Sequence, residues 1–98
     1  MAVVESPTRT VNIVVHGVVQ GVGFRWFVRE RARALRLAGW VRNREDGSVE
    51  FTVRGAPSVV DDLIALVKVG PRNARVDRLE MSEVNSAAEL PPQFDIHR

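Results

Sequence analysis

A glycine-rich segment at residues 17–25 constrains the fold more than any other part of the chain, because it joins two different hydrophobic patterns. Before it, residues 10–16 alternate in hydrophobicity, which predicts a strand with one well-buried face. After it, apolar residues recur at helical spacing and predict a helix with a single buried stripe. The segment therefore predicts a strand, a glycine loop and a helix in direct succession. The stripe consists of Phe24, Phe27, Val28, Ala32 and Leu35.

The glycine loop also has the chemistry of an anion cradle. Glycines tolerate backbone conformations that are closed to other residues, and successive N–H groups then converge on one oxyanion. The helix that follows adds unpaired N–H groups and the positive end of its dipole. Arg25 stands in the first helical turn, where a cation is unfavourable unless a bound anion offsets it. We therefore expect Arg25 to bind an anion together with Gly17, Val18, Val19, Gln20, Gly21, Val22, Gly23 and Phe24.

A hairpin is predicted over residues 39–54. Gly39 is typical of a residue that ends a helix, and a strand is expected to begin at Trp40. Glu45-Asp46-Gly47 has the chemistry of a turn, and the second strand then alternates apolar and polar residues. Asn43 therefore falls at the end of the first hairpin strand, where its side-chain amide offers an acceptor and two donors.

A second helix is predicted to follow the hairpin. Pro57 suits its first position, because proline lacks the N–H that would be unpaired there. Asp61 and Asp62 suit its first turn, and Gly70 ends it. Its predicted buried stripe consists of Val60, Leu63, Ile64 and Val67.

Two more strands complete the pattern. In residues 74–84 the apolar residues shift from even positions (Ala74, Val76) to odd positions (Leu79, Met81), which indicates a bulge or bend near Asp77. Residues 93–97 are predicted to form a short last strand. The order β-α-β-β-α-β with an extra C-terminal strand predicts an α+β, ferredoxin-like split β-α-β sandwich, with two helices on one face of an antiparallel sheet. We assign residues 9–98 to this single domain and residues 1–8 to a flexible N-terminal tail.

Two long motifs resemble the signatures of the acylphosphatase family. Residues 17–25 match its G-x-V-Q-G-V-x-F-R loop. Residues 39–50, with the later Gly55, look like its G-[aromatic]-V-x-N-x-x-x-G-x-V-x motif. The resemblance implies an enzyme that hydrolyses the carboxyl–phosphate anhydride of acyl phosphates to carboxylate and inorganic phosphate. It also implies two catalytic roles, with Arg25 as the phosphate binder and Asn43 as the residue that orients the nucleophilic water.

The implied reaction needs little covalent chemistry from the protein. An acyl phosphate has a good leaving group, so positioning and charge neutralisation suffice for a loose phosphoryl-transfer transition state. The glycine loop lacks the Gly-Lys-[Ser/Thr] ending that would grip a nucleotide and Mg²⁺. This difference argues against a P-loop nucleotide hydrolase.

Composition limits the expected cofactors and partners. The chain has no cysteine, and its two histidines lack the carboxylate pattern of a metal site, so we expect no metal and no cofactor. No apolar run approaches the roughly 20 residues that cross a bilayer, so we expect a cytoplasmic protein without membrane contact. The expected partners are a small-molecule acyl phosphate and, as competing anions, inorganic phosphate or sulfate, bound by a monomer.

Two alternatives remain. Arg25, Arg29, Arg33 and Arg36 fall on one helical face, as in a ferredoxin-like RNA-binding or protein-interaction module without hydrolase activity. The net charge of only +2 and the few strand aromatics disfavour that module, so no nucleic acid partner is expected. The chain also resembles the acylphosphatase-like domain of hydrogenase-maturation carbamoyltransferases, but the absence of a following zinc-finger or transferase sequence disfavours this alternative.

Three residues near the loop have two interpretations each. His16 adjoins the cradle as a general base would, but a lone strand histidine is more often structural, and we expect that role. Gln20 is either a donor to substrate or a side chain that stabilises the loop from within. Trp26 lies beside the loop and off the apolar stripe, where it either flanks the acyl group or covers a surface.

Overall fold

The computed structural model describes residues 7–85 and 88–97. The first six residues of the predicted tail lie outside the described residues. Its last two, residues 7–8, are exposed and without regular structure. No helix in the described ranges is long and apolar enough to cross a bilayer. The elements follow the predicted order: β1 (Arg9–Val18), α1 (Phe24–Ala34), β2 (Ala38–Asn43), β3 (Val49–Gly55), α2 (Pro57–Val69), β4 (Arg75–Glu83) and β5 (Asp95–Ile96).

The five strands form one sheet in the order β4-β1-β3-β2-β5. β1, β2, β3 and β4 pair with one another in antiparallel orientation, as predicted. β5 instead runs parallel to β2, with Trp40 opposite Asp95 and Val41 opposite Ile96, so the sheet is mixed rather than wholly antiparallel. A two-residue strand carries no hydrophobic pattern that could reveal its direction, since that direction is set by how the chain crosses the molecule.

One core holds the sheet against both helices. Alternate residues of β1 and β3 point into it and meet the predicted stripes of α1 and α2. Each fully buried valine, leucine, isoleucine or phenylalanine side chain contributes about 1.5–3 kcal/mol to the stability of the fold. This packing fixes the end of β1 relative to the start of α1, and so it positions the glycine loop. The buried residues of these elements include Val11, Ile13, Val15, Val49, Phe51, Val53, Phe24, Val28, Ala32, Val60, Leu63, Ile64 and Val67.

The end of α1 differs from the prediction. The helix stops at Ala34, and Arg36 takes the left-handed conformation with φ of 57°. The Leu37 N–H then donates to the Ala32 carbonyl at 2.9 Å, and the Arg36 N–H donates to Arg33 at 3.0 Å. This pair of bonds is a Schellman motif, so the helix is capped three residues before Gly39 by a residue other than glycine.

The sequence predicted that Gly39 ends the helix, and this prediction is wrong. Gly39 lies inside β2. Its φ is 143°, and a Cβ there would overlap the Thr52 carbonyl oxygen and crowd the ring of Phe94. Its N–H donates to the Pro91 carbonyl at 3.0 Å. Glycine is required here because β3 and the ring of Phe94 approach the backbone closely.

The predicted ends of α2 are confirmed, but its predicted acidic first turn is wrong. Pro57 occupies the first turn, and Gly70 ends the helix with φ of 71°. The first turn contains no acidic residue, because Asp61 and Asp62 follow it. Asp61 instead accepts a hydrogen bond from Arg9 of β1 at 3.0 Å.

The predicted bulge in β4 is confirmed. His16 pairs with Arg78 and Gly17 pairs with Val76, which leaves Asp77 without a partner in the ladder. A Cβ on Gly17 would overlap the Arg75 carbonyl oxygen, so glycine permits β1 to continue past the bulge. β1 consequently extends two residues beyond the predicted strand end, to Val18, and the loop proper is residues 19–23.

Candidate active site

The loop between β1 and α1 uses two of its glycines for their backbone conformation alone. Gly21 and Gly23 have φ of 75° and 77°, in the left-handed region. A Cβ at either position would meet nothing within 4 Å, so space does not explain these glycines. Left-handed residues turn successive N–H groups toward one side of the chain, which is the geometry of an anion-binding nest.

The start of α1 presents several unpaired donors. Gly23 caps the helix without a side-chain hydrogen bond, and the first turn has no acidic residue. The first intrahelical bond is donated by the Phe27 N–H to Gly23 at 3.0 Å. Within the described part of the chain, no backbone N–H from residue 21 to residue 26 has an acceptor. A helix N-terminus of this kind attracts negative charge.

Arg25 lies in this first turn and is half-buried. Its guanidinium has no ion pair or hydrogen bond with any residue of 7–85 or 88–97. A cation beside the positive end of a helix dipole is unfavourable without a compensating anion. The missing partner is therefore best supplied by a ligand.

Asn43 is the last residue of β2. Its Oδ1 is buried and, among the described residues, has no hydrogen-bond partner. A buried acceptor without a partner costs about 1–3 kcal/mol unless a water or ligand satisfies it. Asn43 therefore offers an acceptor for an O–H group inside the site.

Gln20 ties the loop to the β2–β3 turn. Its Nε2 donates to the carbonyl oxygens of Arg44 at 2.7 Å and Ser48 at 2.9 Å. The same turn is closed by Asp46, which accepts from the Ser48 hydroxyl and N–H. These two bonds hold the pKa of the Asp46 carboxyl below its ordinary value. Gln20 thus stabilises the loop, and it holds the loop in place relative to Asn43.

One cavity of about 160 Å³ brings residues of both signature motifs together. Arg25 and Asn43 line it from α1 and β2. In the described part of the chain, its lining carries one positive charge and no carboxylate, so its electrostatics suit an anion. A groove of about 540 Å³ along residues 42–46 is wider but lacks the loop and Arg25. The lining consists of Val19, Gly21, Gly23, Phe24, Arg25, Trp26, Asn43 and Ile96.

The cavity includes only part of the predicted loop set. Gly17 and Val18 belong to β1, while Gln20 and Val22 do not line the cavity. Ile96, in contrast, reaches it from β5, although sequence reasoning did not single it out. A lone isoleucine in the last strand has no motif around it, so only the pairing of β5 with β2 reveals its place.

The two histidines have partners outside the cavity. His16 Nε2 lies 2.7 Å from Glu80 Oε1, although the two groups are not aligned as a hydrogen bond. A hydrogen bond from Arg78 holds the pKa of the Glu80 carboxyl below its ordinary value, and His16 adds to the effect. His97 stacks on the Trp40 ring with centroids 5.7 Å apart. Residues 7–85 and 88–97 contain no cluster of three potential metal ligands.

The arginines that the sequence places on one helical face have different contacts in the structure. Arg29 pairs with Glu30 at 3.2 Å. Arg33 donates to the Phe94 carbonyl at 2.7 Å and lies 3.6 Å from Asp95, so it anchors the β5 segment to α1. Arg36 lies beyond the end of the helix.

Comparisons with known proteins agree on one family. The acylphosphatase family model matches residues 11–96. An acylphosphatase of Koribacter versatilis is 48% identical over 81 residues, which cover 83% of this chain and 74% of the relative. The crystal structure of acylphosphatase from Bacillus subtilis has a TM-score of 0.85 and 37% identity, with 91% of this chain and 98% of that chain covered.

The same domain occurs within a larger protein. A crystal structure of full-length HypF in a phosphate- and nucleotide-bound form has a TM-score of 0.80 and 26% identity. The match covers 94% of this chain and 12% of HypF. Because the family match spans both signature motifs and nearly the whole domain, the chain belongs to the acylphosphatase family.

Proposed function

We propose that this enzyme hydrolyses acyl phosphates by direct attack of a water molecule that Asn43 orients, while the loop and Arg25 hold the phosphoryl group. The observation that carries the proposal is the cavity that Arg25 and Asn43 line together. Among the described residues, the Arg25 guanidinium, the N–H groups of residues 21–26 and the buried Asn43 Oδ1 have no partner, and all three lie on the loop, helix and strand that line this cavity.

The phosphoryl oxygens would accept hydrogen bonds from the loop, the start of α1 and the Arg25 guanidinium. A planar guanidinium binds such oxygens by charge-assisted, bidentate hydrogen bonds. These contacts neutralise the charge of the phosphoryl group and leave its phosphorus open to attack. Inorganic phosphate and sulfate present the same oxygens, so we expect both to compete with substrate.

Asn43 would accept a hydrogen bond from one O–H of the attacking water and hold its oxygen in line with phosphorus. The water oxygen forms a bond to phosphorus as the bond from phosphorus to the acyl oxygen breaks, and the carboxylate leaves. Since the lining, as far as the structure describes the chain, contains no histidine or carboxylate, the proton lost by the water leaves with the phosphate product. A carboxylate needs no proton to depart, so no general acid is required.

The alternative of an RNA-binding module depends on the arginines of α1. That alternative needs a continuous basic face, but Arg29 and Arg33 are engaged by groups of the protein itself. Among the described residues, in contrast, the Arg25 guanidinium at the cavity has no partner, and a small anion would supply one.

The purified protein should hydrolyse benzoyl phosphate without added metal, because positioning and charge neutralisation by the chain suffice for this leaving group. The rate is measured by release of phosphate, before and after dialysis against EDTA, and should not change. Loss of turnover in EDTA with recovery in a divalent cation would contradict the mechanism. Salt-dependent binding of RNA without any hydrolysis would instead favour the binding module.

His16→Gln should retain most of the activity, because His16 contacts Glu80 and does not line the cavity. The pH profile of kcat/KM should likewise show no requirement for a group with the ordinary histidine pKa of about 6.5. A fall of two orders of magnitude in a variant with an unchanged far-ultraviolet spectrum and Tm would give His16 a catalytic role.

A further inference from the structure

Trp26 is a large aromatic side chain that remains 58% exposed. It follows Arg25 in the first turn of α1, while Phe24 and Val28 on the same helix are buried. Among the residues that the structure describes, its indole has no stacking, cation–π or hydrogen-bond partner. Burial of an aromatic side chain is a large source of stability, and the fold does not use this one. The exposure of Trp26 therefore calls for an explanation outside the core.

The cavity that Trp26 lines is too small to enclose a whole acyl phosphate with a bulky acyl group. Its volume is about 160 Å³, well below the roughly 300–1,000 Å³ of sites that enclose a whole small molecule. A phosphoryl group and one water fit such a space, but a bulky acyl group must extend to the mouth. Trp26 from α1 and Ile96 from β5 are apolar lining residues supplied by two different segments, so both are available to such a group.

The charge of the lining limits what the acyl group can be. Among the residues that the structure describes, Arg25 is the single charged residue in the lining of the cavity, and the phosphoryl group requires it. A second carboxylate or an ammonium on the acyl group would find no opposite charge in the lining. A planar or apolar acyl group, in contrast, would stack on the indole and remove apolar surface from water.

We propose that Trp26, with Ile96, contacts the acyl group and makes the enzyme selective for acyl phosphates whose acyl group is aromatic or bulky and apolar. This inference rests on the proposed function, since it requires the phosphoryl group to occupy the cradle. It adds a specificity-determining surface at the mouth of the same site.

The test compares kcat/KM for benzoyl phosphate and acetyl phosphate in the parent and in Trp26→Ala. The ratio of the two values, benzoyl over acetyl, should fall about tenfold in the variant, which corresponds to about 1.4 kcal/mol. The methyl of acetyl phosphate covers little of the indole, so most of the loss should appear with benzoyl phosphate. Trp26→Phe keeps a planar ring and should recover much of the ratio.

Met81→Ala is the matched control, because Met81 is 52% exposed on the edge strand β4 and lies outside the cavity. It should leave the ratio at the parent value. Phenylphosphonate and methylphosphonate provide a readout without turnover, since only the phenyl compound should lose inhibitory strength in Trp26→Ala.

Two outcomes would overturn the inference. In one, the benzoyl-to-acetyl ratio is the same in Trp26→Ala as in the parent. In the other, both substrates and inorganic phosphate lose affinity equally, which would place Trp26 on the phosphoryl side. A parent protein that hydrolyses neither substrate would instead reject the proposed function and this inference with it, so the two failures are distinguishable.

Discussion

Replacing Asn43 with alanine should lower kcat for benzoyl phosphate about 10²- to 10³-fold, or about 3–4 kcal/mol, with little change in KM. The reason is that Asn43 Oδ1 is buried, has no partner among the described residues and is assigned to the attacking water, which contributes to the transition state more than to substrate binding. Steady-state kinetics on the purified variant measure both parameters. The competitive inhibition constant of inorganic phosphate should stay close to the parent value, because the loop and Arg25 remain.

Asn73→Ala is the control for this substitution. Asn73 is exposed in the turn before β4 and does not line the cavity, so the same chemical change there should leave kcat unaffected. If Asn43→Ala keeps a near-normal kcat while its fold is intact, Asn43 has no part in the mechanism. A rise in KM alone would move Asn43 from the water to the binding of the phosphoryl group.

Arg25→Ala should weaken phosphate binding and also lower kcat, with a loss in kcat/KM of at least the same order, about 10²- to 10³-fold. The guanidinium acts on the charge of the phosphoryl group in the ground state and in the transition state, so both parameters change. Removal of Arg25 breaks no hydrogen bond or ion pair within the described residues, and a collapse of the fold is therefore not expected.

A thermal scan tests the same assignment without turnover. Inorganic phosphate that binds only the folded chain stabilises it by about 2.7 kcal/mol at a concentration 100 times its Kd. For a domain of this size each kcal/mol raises Tm by roughly 4–8 °C, so the parent should show a large increase. Arg25→Ala should show a much smaller increase at equal ionic strength, while chloride should affect both proteins alike.

Arg29→Ala is the matched variant, since it removes the same charge from the same helix at a residue paired with Glu30. It should keep the phosphate-dependent rise in Tm and most of kcat/KM. Equal increases in the parent and in Arg25→Ala would show that Arg25 does not face the anion, and the assignment of the loop would then have to change.

Features that depend on short-range sterics were predictable from the sequence. Gly21 and Gly23 adopt positive φ, Pro57 begins α2, and Gly70 ends it. The shift of apolar residues from even to odd positions in β4 predicted the irregularity, and Asp77 is the residue without a partner in the strand ladder. Each of these features follows from the residue itself or from its near neighbours.

Features that depend on a distant segment were predicted less well. Gly39 looked like a helix cap, but it is glycine because β3 and Phe94 approach its backbone. The direction of β5 depends on how the chain crosses the molecule, and its two residues contain no pattern that shows it. Gln20 acts through two carbonyl groups of the next hairpin, a role that residues 17–25 alone do not reveal.

The sequence by itself determined the order of the elements, the conformation of the loop, the family resemblance and the two side chains, Arg25 and Asn43, that carry the proposed chemistry. These depend on local backbone preferences, hydrophobic periodicity and motif spacing, all of which are set by residues close together in the sequence. Only the tertiary structure decided that Val19, Gly21 and Gly23 line the cavity while Gln20 braces the loop, and that Ile96 joins Trp26 at the same site. The physical reason is that a cavity forms where packed elements leave space, and the strand order β1-β3-β2-β5 decides which elements meet there.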